Sequence, residues 1–229
     1  NRSMKLRPIM TGTEYLTRNL LPLIESIEPK PTKSFSMKAL GLGHVVSSQG
    51  ILIALGTRYE KFWNQVLTES TAVQNQLPFD NGTDKFKVNN QNRQVDHFFS
   101  INDLENNKNI YLESKCNLDF DTEKKPESNA KIIAVKEELG VVFGNTQCGY
   151  YVPVLRDIPE EVQSKYRSAG VPVYGVSDMY RWLDGKIPFT IDEYFDFILT
   201  VLGPVVADKL GVTVNKPART GRQGDMDAL

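Results

Sequence analysis

The sequence predicts an α/β (α+β) fold in which a central mixed β-sheet is flanked by helices. Three observations carry that expectation. Helix-spaced apolar residues lie near both ends of the chain, two strand-like runs joined by a polar turn occupy the middle, and helical and strand-like segments alternate after them. At 229 residues the chain can bury one good core, so a single domain over 1–229 is expected.

Residues 11–28, TGTEYLTRNLLPLIESIE, set Leu16, Leu20, Leu23, Ile24 and Ile27 at helical spacing behind a Thr11/Glu14 capping box, which predicts a helix bent at Pro22. Residues 29–50 hold three glycines and two prolines with little periodicity and read as a loop. A second helix runs from 51 or 56 to about 70, with Tyr59, Phe62, Trp63, Val66 and Leu67 on one face and Glu60 on the same helix. The polar stretch 75–94 contains FDNGTDKFKV, where Asn81-Gly82 predicts a hairpin turn. QVDHFFSI (94–101) and NIYLESKC (109–116) read as antiparallel strands across a polar turn. After a charged loop, residues 129–140 predict a helix with Ile132, Ile133 and Val135 inward and Gly140 as C-cap. Strands are expected at GVVFG (140–144), GYYVPVL (149–155) and VPVYGV (171–176), with a helix at 159–170 between the last two. A short helix at 177–185 takes Ser177 as its N-cap. A final amphipathic helix, 190–211, starts at Thr190 with Glu193 in capping-box position, and the polar tail from Thr213, with Lys216, Arg219 and Arg222, is expected to be mobile.

Hydrophobic residues at 40 % and charged residues at 24 % set the chain apart from disordered and membrane-embedded classes. No stretch approaches the roughly 18 uninterrupted apolar residues of a membrane span, and NRSMKLRPIM lacks the apolar segment of a signal peptide. A cytoplasmic protein is expected, with residues 1–3 ahead of Met4 a cloning remnant. Cys116 and Cys148 suggest neither a disulfide framework nor a zinc site and are read as reduced thiols. A net charge of -1 gives no global attraction to polyanions, so a nucleic-acid role needs local basic patches.

Side chains alternate along a strand, so Tyr111, Glu113 and Lys115 point one way and Ile110, Leu112, Ser114 and Cys116 the other. With the turn centred near residues 104–106, residues 96–98 lie opposite 113–115, and Asp96 comes close to both Glu113 and Lys115. Two carboxylates this close repel unless a cation joins them, and oxygen ligands of this kind suit hard Mg²⁺. Such an ion can polarise a phosphate oxygen and acidify a bound water, while Lys115 orients that water or stabilises charge on the phosphate. An E-x-K pair on a strand is by itself more often a surface ion pair worth under about 1 kcal/mol. The added Asp96 on the paired strand and Glu60 on the preceding helix raise the functional reading, although an acid on an amphipathic helix is more often simply solvated.

The order Glu60 on a helix, Asp96 on a first strand and Glu113, Ser114, Lys115 on a second, then a helix and a further strand, resembles the PD-(D/E)xK nuclease superfamily, in particular Type II restriction endonucleases. The pattern covers about residues 51–180. The resemblance implies a restriction-endonuclease-like core, with Asp96 and Glu113 as the acidic pair that binds Mg²⁺, Lys115 as the motif lysine, the Ser114 carbonyl as a further metal ligand and Glu60 as an added acid. Val95 stands where the motif's name has proline. LESKCNLDFDTEK is similar to enzymes that cut the interrupted palindrome GANTC. The expected activity is therefore Mg²⁺-dependent hydrolysis of double-stranded DNA at a short palindromic site, leaving 5'-phosphates, by a homodimer whose symmetry matches that of the site. Base readers are expected within 89–94 and 215–223. A structure-specific nuclease, such as a junction resolvase or repair nuclease, and a non-catalytic DNA-binding module are the alternatives.

Other polar residues read more plainly. His97 is expected to face away from Asp96 as a core or supporting histidine instead of a general base. His44, in LGLGH, lies in a loop with no Walker lysine and no G-x-G-x-x-G. Asp119, Asp121 and Glu123 read as a solvated loop, with Lys124-Lys125 the best local basic feature. Met179, Trp182 and Leu183 are expected in the core, with Arg181 free to reach a phosphate or a partner.

Overall fold

A computed structural model describes residues 10–30, 48–76, 85–88, 91–103, 106–116, 124–167 and 169–213. Among these residues the strands are β1 (Val73–Gln76), β2 (Lys85–Val88), β3 (Gln91–Gln94), β4 (His97–Asp103), β5 (Asn106–Ser114), β6 (Thr146–Tyr151) and β7 (Val173–Tyr174). Five of them form a mixed sheet in the order β1-β4-β5-β6-β7, antiparallel from β1 to β5 and parallel from β5 to β7. The expected α/β (α+β) class with a mixed sheet is the observed one. β2 and β3 make a separate antiparallel hairpin.

Period-two alternation puts each strand's neighbours on opposite faces, and both faces of this sheet are apolar. Phe99, Ile101, Ile110, Leu112 and Tyr151 point into one cluster, while Phe98, Tyr111, Cys148 and Tyr150 point into the other. The first face is covered by α1 (Gly12–Asn19), α2 (Leu21–Glu25), α3 (Ser48–Glu69), α6 (Val176–Trp182), α7 (Ile191–Phe197) and α8 (Gly203–Leu210). The second is covered by α4 (Lys124–Phe143) and α5 (Glu160–Arg167). Trp63 of α3 is the hub of the larger cluster: its ring meets Tyr151 and Tyr194 edge-on at 5.5 Å each, and its Nε1 donates to the Tyr194 hydroxyl at 3.2 Å. That hydroxyl donates in turn to the Pro153 carbonyl at 2.9 Å, so neither buried donor is stranded.

Both capping boxes form. Thr11 and Glu14 exchange side-chain and backbone bonds at 3.2 and 2.9 Å, and Thr190 and Glu193 do so at 3.1 and 2.8 Å. The first helix breaks at Leu20, and Pro22 falls in the first turn of α2, where a missing N–H costs nothing. The final helix is interrupted by a wider turn at Ile198–Leu202. Pro204 has no N–H for the Thr200 carbonyl, and Gly203 donates five residues back to Ile198.

Several expected boundaries are corrected. GVVFG is not a strand: α4 continues through Phe143, Gly140 lies inside it, and the Gly140 carbonyl accepts the Gly144 N–H at 3.0 Å. The helix stops at Gly144, whose φ of 90° suits glycine, and the β-propensity of Val141 and Val142 yields to the continuing helical ladder. Ile132, Val135 and Leu139 are buried as the helical spacing requires, whereas Ile133 is only half-buried. GYYVPVL stays extended only to Tyr151, and the strand expected over 171–176 is reduced to two residues. The N-cap of α6 is Gly175, not Ser177. The Val176 and Ser177 N–H groups donate to the Leu155 and Arg156 carbonyls at 2.9 and 3.0 Å, and the Asp178 carboxylate accepts the Gly175 N–H at 3.0 Å. QVDHFFSI is not one strand, because β3 ends at Gln94 and β4 starts at His97, leaving Asp96 in the break. The β2–β3 register ends with Val88 opposite Gln91; Asn81-Gly82 lies outside the described residues, as do most of 29–50 and the tail beyond Thr213. Among the described residues no helix is long and apolar enough to cross a membrane.

Candidate active site

The antiparallel register of β4 and β5, His97 opposite Leu112 and Phe98 opposite Tyr111, carries one step further to set Asp96 across from Glu113. Here the ladder is replaced by a side-chain bond. Asp96 Oδ2 accepts the Ser114 N–H at 2.9 Å, which fixes the carboxylate at the end of β5. The break between β3 and β4 is held from above by Asn64 of α3. Its Nδ2 donates to the Asp96 carbonyl at 2.9 Å, and its Oδ1 lies 2.8 Å from His97 Nδ1. Glu60 stands one helical turn before Asn64 on the same face of α3, and its negative charge bears on Asp96.

Glu113 points to the opposite face from Leu112 and is buried, with 7 % exposure. Its Oε1 accepts Lys115 Nζ at 3.2 Å and Lys131 Nζ at 2.9 Å, and its Oε2 accepts the Tyr111 hydroxyl at 3.3 Å. The predicted residues Asp96, Glu113, Ser114 and Lys115 therefore come together, with Glu60 electrostatically in range. Lys131 and Asn64 belong to the same arrangement and were missed. Lys131 sits four residues before the buried Val135, a spacing that puts it on the inward face of α4. Asn64, a neutral amide on a mostly apolar helix, carries no comparable signal.

The two carboxylates are driven apart in their titration. Burial first, and then the negative charges of Glu113 and Glu60, push Asp96 well above the ordinary carboxylate range, against the opposing pull of the Ser114 N–H and Lys115. Burial alone would also raise Glu113, but the Lys115 and Lys131 ammonium groups outweigh it and hold that carboxyl below its usual value. Paired titratable groups with opposed shifts in one site are the electrostatic pattern of functional centres. The donor set fits a hard divalent cation: carboxylate oxygens are its only charged ligands, and Asp96 carries the charge that a cation would most relieve. Among the described residues no group of three or more His, Cys, Asp or Glu converges as a ready-made metal cage.

His97 is fully buried, packs edge-on against Tyr151 at 5.9 Å and has its pKa pushed down to about 3 by burial, which makes it a core imidazole as expected. Its Nε2, the Ser114 hydroxyl and the Tyr151 hydroxyl are buried without hydrogen-bond partners. Met179 and Leu183 are core residues and Trp182 packs against the core. Arg181 is exposed but not free, since its guanidinium is paired with Asp178. Both cysteines are free thiols, and burial pushes Cys116 up to about 12. Residues 119–123, His44 and the proposed base readers at 89–90 and 215–223 lie outside the described residues, as do the side chains of 91–94 and of Lys124 and Lys125.

No protein-family model and no curated protein matches the chain. Among solved structures it has a likeness to protein VC1899 from Vibrio cholerae, with a TM-score of 0.34 and 10 % identity, over 61 % of this chain and 35 % of that one. The chain thus spans about a third of that protein's length, and a likeness at this level bears on neither fold nor function.

Proposed function

We propose that the protein is a cytoplasmic Type II restriction endonuclease, a homodimer that hydrolyses phosphodiester bonds of double-stranded DNA at a short palindromic site with Mg²⁺. The observation that supports this reading is the pairing of Asp96 and Glu113 across the β4–β5 end, with Ser114 bonded to the first and Lys115 to the second. In this account Asp96, Glu113 and the Ser114 carbonyl hold Mg²⁺, and Glu60 adds negative charge behind Asp96. When bound, the ion polarises a phosphate oxygen and acidifies a water. Asp96 keeps its orientation through the Ser114 N–H, which would hold one of its oxygens in place for the ion. Lys115 places an ammonium charge beside Glu113, where it orients the attacking water or stabilises charge on the phosphate. Asn64 keeps Asp96 and His97 in register through its bonds to the Asp96 carbonyl and to His97 Nδ1.

Incubation with a plasmid of known sequence and Mg²⁺, followed by mapping of the ends, tests the reading. Discrete fragments with 5'-phosphates are expected. Cutting of branched DNA with linear duplex left intact would assign a structure-specific nuclease instead, and no cutting of either would leave a non-catalytic DNA-binding module.

A further inference from the structure

Glu113 uses its two oxygens differently. Oε1 accepts both ammonium groups, Lys131 at 2.9 Å and Lys115 at 3.2 Å, whereas the donor to Oε2 is the Tyr111 hydroxyl at 3.3 Å. A carboxylate oxygen offers two lone pairs, so Oε1 is filled and Oε2 keeps one for a cation. Tyr111 stands two residues before Glu113 on the same face of β5, opposite Phe98 of β4 and Cys148 of β6. Its ring is fully buried in the second apolar cluster, among Val95, Ile132 and Val135, so close packing decides where the hydroxyl stands. A phenol keeps its proton at neutral pH, and towards an ionised carboxylate it is therefore the donor. The bond is long beside the roughly 2.5–2.7 Å of a hydroxyl on a carboxylate, as bonds in catalytic sites often are before a ligand arrives.

We propose that Tyr111 is a positioning residue, whose hydroxyl aims Glu113 Oε2 at the divalent cation in the free protein, before DNA binds. This rests on the nuclease reading above, and Tyr111 acts only through Glu113. The two lysine stems are long and flexible and fix one oxygen; the hydroxyl comes from the packed core and fixes the other. Loss of the hydroxyl leaves Glu113 with both lysines and leaves the ring in its place. What is lost is the restraint on rotation of the carboxylate. A hydroxyl that merely satisfies itself on Glu113 would contribute to stability and have no bearing on the cation.

Cation affinity and stability separate the two roles. Mn²⁺, which shares the oxygen ligands of Mg²⁺, is titrated into the full chain without DNA and followed by electron spin resonance, for the wild type, Tyr111→Phe and Glu113→Gln. Scanning calorimetry in EDTA gives the Tm of each, and near-ultraviolet circular dichroism verifies the fold. Tyr111→Phe is expected to bind Mn²⁺ about tenfold more weakly than the wild type, the scale on which partners of metal-binding carboxylates act, and Glu113→Gln more weakly still. The Mg²⁺ concentration for half-maximal plasmid cutting should rise by a similar factor in Tyr111→Phe. A Tyr111→Phe protein with a lowered Tm and wild-type Mn²⁺ affinity overturns the proposal, while cutting by the wild type continues to support the nuclease reading. A wild type that cuts DNA but takes up no Mn²⁺ in its absence overturns the proposal alone, and one that does neither overturns both.

Discussion

Asp96 is held in a place that suits a cation better than it suits the folded chain alone. Its burial, and the charges of Glu113 and Glu60, disfavour the carboxylate, so in its ionised form it detracts from stability. Asp96→Asn keeps an oxygen for the Ser114 N–H and removes the charge. Scanning calorimetry in EDTA at neutral pH should show a variant at least as stable as the wild type; a clear loss of Tm would mean that Asp96 is a stabilising structural residue. His97 gives a prediction of opposite sign. Its folded pKa lies near 3, below the ordinary value of 6.5, so between these values the unfolded chain binds a proton that the native state refuses. The stability due to neutral His97 is complete above pH 6.5 and is lost as pH falls, by up to about 1.4 kcal/mol per pH unit from this one group. Urea unfolding at pH 7.5 and 5 should show a shallower loss in His97→Gln, and identical losses in the two proteins would refute the assignment. At this scale Asp96, Glu113 and Lys115 were legible because strand alternation and a short polar turn determine which side chains meet. Lys131 and Asn64 were not, since each enters from a helix whose placement over the sheet is a tertiary fact.

At the scale of elements, the segment that misled was α4. Val141, Val142 and Phe143 have strand-forming side chains, yet the helix absorbs them, leaving Val141 84 % and Val142 61 % exposed. Local propensity lost to the continuing i to i-4 ladder, and the glycine that ends the helix is Gly144, not Gly140. Capping boxes were readable because each is complete within four residues, whereas the cap of α6 uses carbonyls from 155 and 156, which no local pattern announces. Close approach matters at the parallel edge. A Cβ on Gly149 would lie 2.5 Å from the Pro172 carbonyl oxygen, the same oxygen that accepts the Tyr150 N–H at 2.9 Å. Gly149→Ala should therefore push β7 away from β6 and cost about 1 to 3 kcal/mol. Equilibrium urea denaturation measures this, and a neutral substitution would show that the edge can open freely.

For the molecule as a whole, the mixed sheet with an apolar cluster on either face brings α3 and α4 to opposite sides of the β4–β5 end, and the site is assembled where they meet it. Glu60 and Asn64 come from one side and Lys131 from the other. The architecture depends most on Trp63, whose ring touches the sheet through Tyr151 and the last helices through Tyr194. Trp63→Ala should cost about 3 to 5 kcal/mol, a large part of the roughly 5 to 15 kcal/mol that holds a domain of this kind together. A midpoint in urea within a few tenths molar of the wild type would contradict that hub role. The mixed sheet flanked by helices was legible from the order of segments, but which helix returns to which face was not, because that is settled by tertiary packing.

The most direct measurement is the cleavage of a plasmid of known sequence in Mg²⁺ by the wild type and by Asp96→Asn, both verified as folded and DNA-bound. The wild type should yield discrete fragments and the variant none. Equal cutting by both proteins would contradict the central claim that Asp96 and Glu113 together form the cation-binding pair of a nuclease.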